Sequence, residues 1–143
     1  MKFVCDASDG KSWFRIETVA EAMRESDLMG HAIEKHFVKE RNKAAQSFAP
    51  VSSLFIEQEI GLEAHLQREM PWFLTLRDAE GMPLANAMVQ PRGREHRAFV
   101  PIIVGSKNTD PYPAHGNAIS ALAKFMGLTF DRARCYPYGR RIG

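Results

Sequence analysis

One helical phase runs unbroken for thirty residues, and it limits the possible folds of this chain more than any other feature. At 100° per residue, Val19, Met23, Ser26, Gly30, Ile33, Phe37, Ala44 and Phe48 fall on a single stripe. A straight helix over 19–48 would measure ~45 Å at 1.5 Å per residue. A compact chain of 143 residues has a radius of gyration of only ~14–15 Å. Either the helix breaks near Ser26–Gly30, with Asp27 capping a second one, or it overhangs the body and meets a partner. We expect the break. Its start is well marked, because Thr18 followed by Glu21 is a capping box.

The segments on either side are β in character. Lys2–Asp6 and Trp13–Glu17 flank Ser8-Asp9-Gly10-Lys11, and Asp-Gly between β-prone runs signals a hairpin. Trp72–Arg77 and Leu84–Gln90 flank Asp78-Ala79-Glu80-Gly81, a second hairpin with Gly81 at positive φ. Phe99–Val104 reads as one more strand, and Pro101 within it points to an edge or a bulge. The span 54–69 is ambiguous. Leu54, Ile56, Ile60, Leu62, Ala64 and Leu66 alternate as a strand would, yet the composition favours helix and Pro71 would stop one after Met70. We read helix. A last helix starts near Ala114, presents Ile119, Leu122, Phe125 and Met126, and ends at Gly127 with Leu128 placed for a Schellman contact. The order ββ-α-α-βββ-α is an α+β pattern. It implies a largely antiparallel sheet of two hairpins plus one further strand, with the helices packed on one face. No linker or repeat divides the chain, so 1–143 is read as a single globular domain.

Composition narrows the class. With 45% apolar and 25% charged residues, a core is within reach without disulfides or metals. No run approaches the ~20 apolar residues of a membrane span, and Met1-Lys2-Phe3-Val4-Cys5-Asp6 reaches an acid too soon for a signal peptide. Two cysteines without metal spacing read as reduced thiols, so the expectation is a cytoplasmic protein. Twelve arginines against seven lysines, with abundant alanine, suit a GC-rich bacterial genome.

Charge is unevenly placed. Residues 1–90 hold ten basic and fourteen acidic side chains, whereas 91–143 hold nine and three. Arg92, Arg94 and Arg97 crowd one loop, and arginine forks suit carboxylate and phosphate. The plainer reading is that the two parts attract each other, or that the arginines solvate loops. Gly10-Lys11-Ser12 lacks the remaining glycine of a phosphate-binding loop, which would fall at Cys5. Ser8 and Lys11 have Ser-x-x-Lys spacing, but a solvated hairpin tip cannot activate a lysine. His31 and His36 point ~140° apart on a helix and cannot share an ion. His36 with Glu40 could, but zinc catalysis needs a third ligand. No cofactor is implied.

Three readings remain. In the first, the chain is a non-enzymatic ligand-binding or protein-interaction module for an anionic small molecule, associating as a homodimer. Its site would lie at the start of the last helix, where His115 and Asn117 join an electropositive N-terminus and Arg92, Arg94 and Arg97 approach from their loop. Against this, Asp110 is placed to cap that helix, and the arginines lie before a strand whose far end leads to it, about 20 Å away. The second reading is a small enzyme using Glu59 and Glu63 with a histidine, since paired carboxylates facing a core would be costly without a purpose. On a strand the same acids would merely share a wet face. The third is a weak nucleic-acid binder, because Arg132, Arg134, Tyr136, Tyr138, Arg140 and Arg141 mix cations and aromatics. No residue is assigned a catalytic role, and Cys5 and Cys135 carry no activating neighbour.

Overall fold

A computed structural model describes residues 1–51, 53–90 and 99–135. Among them five strands form one antiparallel sheet in sequence order: β1 (Lys2–Asp6), β2 (Ser12–Ile16), β3 (Trp72–Arg77), β4 (Pro83–Val89) and β5 (Ile102–Gly105). The helices are α1 (Val19–Met29), α2 (Ile33–Gln46), α3 (Phe55–Glu69) and α4 (Tyr112–Met126). The α+β pattern is thus as expected, and the helix read over 54–69 is present as α3. None of these helices is long and apolar enough to cross a membrane.

Local chemistry sets most of the boundaries. Thr18 Oγ1 accepts from the Glu21 amide at 3.1 Å, and Glu21 Oε1 accepts from the Thr18 amide at 3.1 Å, which closes the capping box. The first hairpin turns through Asp9 and Gly10, both at positive φ, and the second through Gly81 at φ 81°. Asp78 Oδ1 holds the second turn by accepting from the amides of Glu80 and Met82, each at 2.9 Å. At the far end, Gly127 is left-handed and the Leu128 amide reaches the Ala123 carbonyl at 2.9 Å, a Schellman closure.

The long stripe breaks where expected, at Gly30, which is left-handed at φ 66° and ends α1. Three expectations about the elements need correction. Asp27 does not cap α2; instead Ser26 Oγ accepts from the Glu34 amide at 2.9 Å. Phe99–Val104 is not wholly strand, because β5 starts only after Pro101, whose missing N–H cannot join a ladder. That strand does lie at a sheet edge.

The third correction concerns the layers. The helices do not share one face of the sheet. Leu74, Leu76, Ala85, Ala87, Val89 and Ile103 pack with Ala118, Ile119, Leu122 and Met126 of α4. The alternate residues Phe73, Met88, Ile102 and Val104 pack with Ala22, Ile33, Phe37, Ala44 and Leu66 of α1, α2 and α3. Period two sends successive side chains to opposite faces, and every residue from Phe73 to Leu76 and from Ala85 to Val89 is buried. A strand that is apolar on both faces needs a helical layer on each.

Candidate anion-binding site

The first hairpin brings Lys11 beside the start of α4. Its Nζ lies 3.3 Å from His115 Nδ1. An ammonium can only donate, so Nδ1 is the acceptor and the ring proton sits on Nε2. Burial, and secondarily the charge of Lys11, hold the His115 pKa below its ordinary value. Around this pair a pocket of about 160 Å³ is lined by Ser8, Asp9, Lys11 and the stretch from Tyr112 to Ala118. Asn117 lines it as well, and is exposed.

Backbone geometry kinks the first turn of α4. Pro113 lies in the first turn, and His115 departs from helical geometry at φ −130°, ψ 22°. Asp110 caps the first turn, its Oδ1 accepting from the Tyr112 amide at 3.1 Å, while its other oxygen pairs with Arg132. The cap anticipated from the sequence therefore exists, and Arg132 offsets its charge. The pocket lies on the other flank, toward the hairpin.

Of the five binding residues expected from the sequence, the structure brings together His115 and Asn117. Arg92, Arg94 and Arg97 lie outside the described residues, as do residues 136–143 of the basic tail. Lys11 was missed as a binding residue. Its place was set by the pairing of β1 with β2, and only the packing of that hairpin on α4 reveals it.

A second polar cluster lies under α1 and went unnoticed in the sequence. Glu25 is only 1% exposed. One of its carboxylate oxygens pairs with Arg77, and the other accepts from Asn86 Nδ2 at 2.6 Å. Asn86 also donates to the Leu74 carbonyl at 3.2 Å, and its Oδ1 lies 2.7 Å from His31 Nε2. Arg77 further donates to Thr75 Oγ1 at 3.1 Å and to the Gly81 carbonyl at 2.9 Å. Both carboxylate oxygens are engaged, so the cluster holds the fold together and offers no open ligand position.

The carboxylates singled out from the sequence sit elsewhere. Glu59 and Glu63 are exposed on α3, and Glu63 pairs with Arg41 at 2.9 Å. An exposed carboxylate keeps water as its partner, so the burial argument for acid–base chemistry does not apply to them. Among the described residues no three His, Cys, Asp or Glu side chains gather to hold a metal ion.

Both thiols are buried free cysteines. Burial raises the pKa of each; Asp6 adds to the effect at Cys5 and Asp131 at Cys135, while a hydrogen bond from Tyr112 partly offsets it at Cys135. Thiolate is the reactive form. Native protein mixed with a disulfide reagent at neutral pH is therefore expected to stay unmodified, with both thiols titrating after unfolding in denaturant. Fast release of one equivalent from native protein would contradict this.

No protein-family model, curated protein or solved structure matches the chain significantly.

Proposed function

We propose that the chain is a non-enzymatic binding module whose α4 pocket takes the anionic group of a small molecule. One observation carries the reading: Lys11 and His115 converge on a polar pocket at the kinked start of α4. That position combines a side-chain cation, an imidazole Nε2–H donor and the positive end of the helix dipole. Whole ligand sites commonly exceed ~300 Å³. A pocket of about 160 Å³ suits one charged head group, with the rest of the molecule outside. Asp9 also lines the pocket and sets a limit on affinity. The proposal rests on Lys11, His115 and Asn117 and does not require the arginine loop.

The test is a sulfate titration followed by amide NMR, since sulfate keeps its charge across the useful pH range. Shifts are expected at residues 112–118 and at Lys11, weakened in His115→Ala and in Lys11→Ala. The pH dependence has a definite sign. A bound anion favours the imidazolium, so it raises the His115 pKa from its lowered value. Between those two values sulfate binding takes up a proton, and affinity rises as the pH falls through that window. Without ligand the sign for stability is opposite. The native state binds fewer protons than the unfolded chain, so this contribution is lost as the pH falls through 6.5 toward the lowered value. Absent shifts at 112–118, or shifts unchanged in both variants, would eliminate the site.

A further inference from the structure

Among the described residues, the first half of α3 presents an exposed apolar surface. Phe55, Ile56 and Ile60 are 72%, 70% and 66% exposed, and Leu54 just before them is exposed too. Of α3 only Leu66 is fully buried. Ile56, Ile60 and Ala64 recur every four residues and so form one ridge, with Glu59 and Glu63 beside it. Singly exposed apolar residues need no explanation, but a contiguous ridge of this kind marks a contact surface.

A complementary surface lies on α2. Lys35, Lys39 and Lys43, again four apart, are exposed along one side of a shallow groove on the surface of α2 itself, with Glu34, Val38, Asn42 and Gln46 along the other. Lysine stems cover apolar surface while their ammonium heads stay in water. An apolar ridge with acidic flanks fits a groove of that kind. The charges agree: α2 carries four basic and two acidic side chains, and α3 carries four acidic and one basic. Within one chain the two helices already meet through other groups, Arg41 with Glu63 and the Ala44 carbonyl and Ser47 with His65. Among the described residues, the Lys35, Lys39 and Lys43 face of α2 stays exposed.

We propose that the occupant is a second copy of this chain, with α3 of each subunit lying in the α2 groove of the other about a two-fold axis. Each chain supplies both halves, which is the condition for a closed, self-complementary dimer. The apolar ridge supplies the affinity, and the lysine and glutamate rims set the register and the salt dependence. Nothing in this arrangement depends on the α4 pocket.

Sedimentation velocity on the full chain across the micromolar range tests it. The expected result is a concentration-dependent shift from 16.1 kDa to twice that mass, reduced by salt. Ile60→Asp places a charge in the ridge at an exposed position and is expected to weaken association roughly tenfold or more. A triple reversal of Lys35, Lys39 and Lys43 to Glu should also abolish self-association. The pair Glu57→Lys with Glu59→Lys should do the same. Mixed in equal amounts, the two charge-reversed proteins should recover a heterodimer, an outcome that general loss of folding cannot produce. Wild type that remains a 16.1 kDa species up to about 100 µM overturns the proposal and leaves the ridge to a different protein. So does a dimer that Ile60→Asp leaves intact.

Discussion

Glu25→Ala is expected to lower the stability of the fold by roughly 3–5 kcal/mol, out of a total of about 5–15. The carboxylate is buried between α1 and the sheet, with Arg77 on one oxygen and Asn86 on the other. Truncation leaves the Arg77 guanidinium, itself largely buried, without its anion and leaves Asn86 with an unmatched donor. The cost arises mainly from these abandoned partners, not from the net worth of the pair. Arg77→Met is expected to be similarly harmful, because it strands the carboxylate. The double variant Glu25→Ala with Arg77→Met removes both charges, so its cost should fall well below the sum of the two singles. Urea unfolding at neutral pH of the four proteins measures this coupling directly. A single-variant effect under about 1 kcal/mol, or strict additivity, would show that the cluster does not hold α1 to the sheet.

The same cluster shows where the sequence was legible and where it was not. Element order, the capping box, both hairpins and the helix at 54–69 depend on local rules, and these can be read from a few neighbouring residues. The long stripe was less secure, because one phase was fitted across what are two helices. Met23 belongs to that stripe yet is 49% exposed, while Ala22, Glu25 and Met29 point inward. A carboxylate is never scored as core, so Glu25 was passed over. Its signal lay on the strands. Thr75 and Asn86 are register partners, both buried and polar, on the face shared by Phe73 and Met88. Two paired polar residues on a buried face require a polar partner from the layer above. Placement of the helices failed for a related reason. β3 and β4 are nearly continuous apolar runs, the mark of strands covered on both sides, whereas an α+β element order by itself implies a single covered face. At the α4 pocket, His115 and Asn117 were visible because a helix start is a local feature. Lys11 was not, since it reaches them across a sequence gap that only the packed sheet closes.

Trp13 closes that gap, and it provides the second large effect. The indole is fully buried on β2, and its Nε1 donates to the Ala118 carbonyl of α4 at 2.9 Å. Trp13→Ala is expected to destabilise by about 3–5 kcal/mol, chiefly through the cavity left between sheet and helix. The lost hydrogen bond weighs less, because a carbonyl within a helix already accepts from the amide four residues on. Trp13→Phe separates the two contributions. It retains most of the apolar volume and should cost only about 1–2 kcal/mol, yet it removes the indole's polar tie to α4. Lys11 lies two residues before Trp13, and His115 three before Ala118. Sliding of α4 on β2 therefore changes the distance between Lys11 and His115. Trp13→Phe should remain folded at room temperature while binding sulfate severalfold more weakly, with the lowered His115 pKa moving back toward 6.5 as Lys11 withdraws. If sulfate affinity and the His115 titration are both unchanged in a folded Trp13→Phe protein, the indole is only a core residue and the pocket is positioned by other contacts.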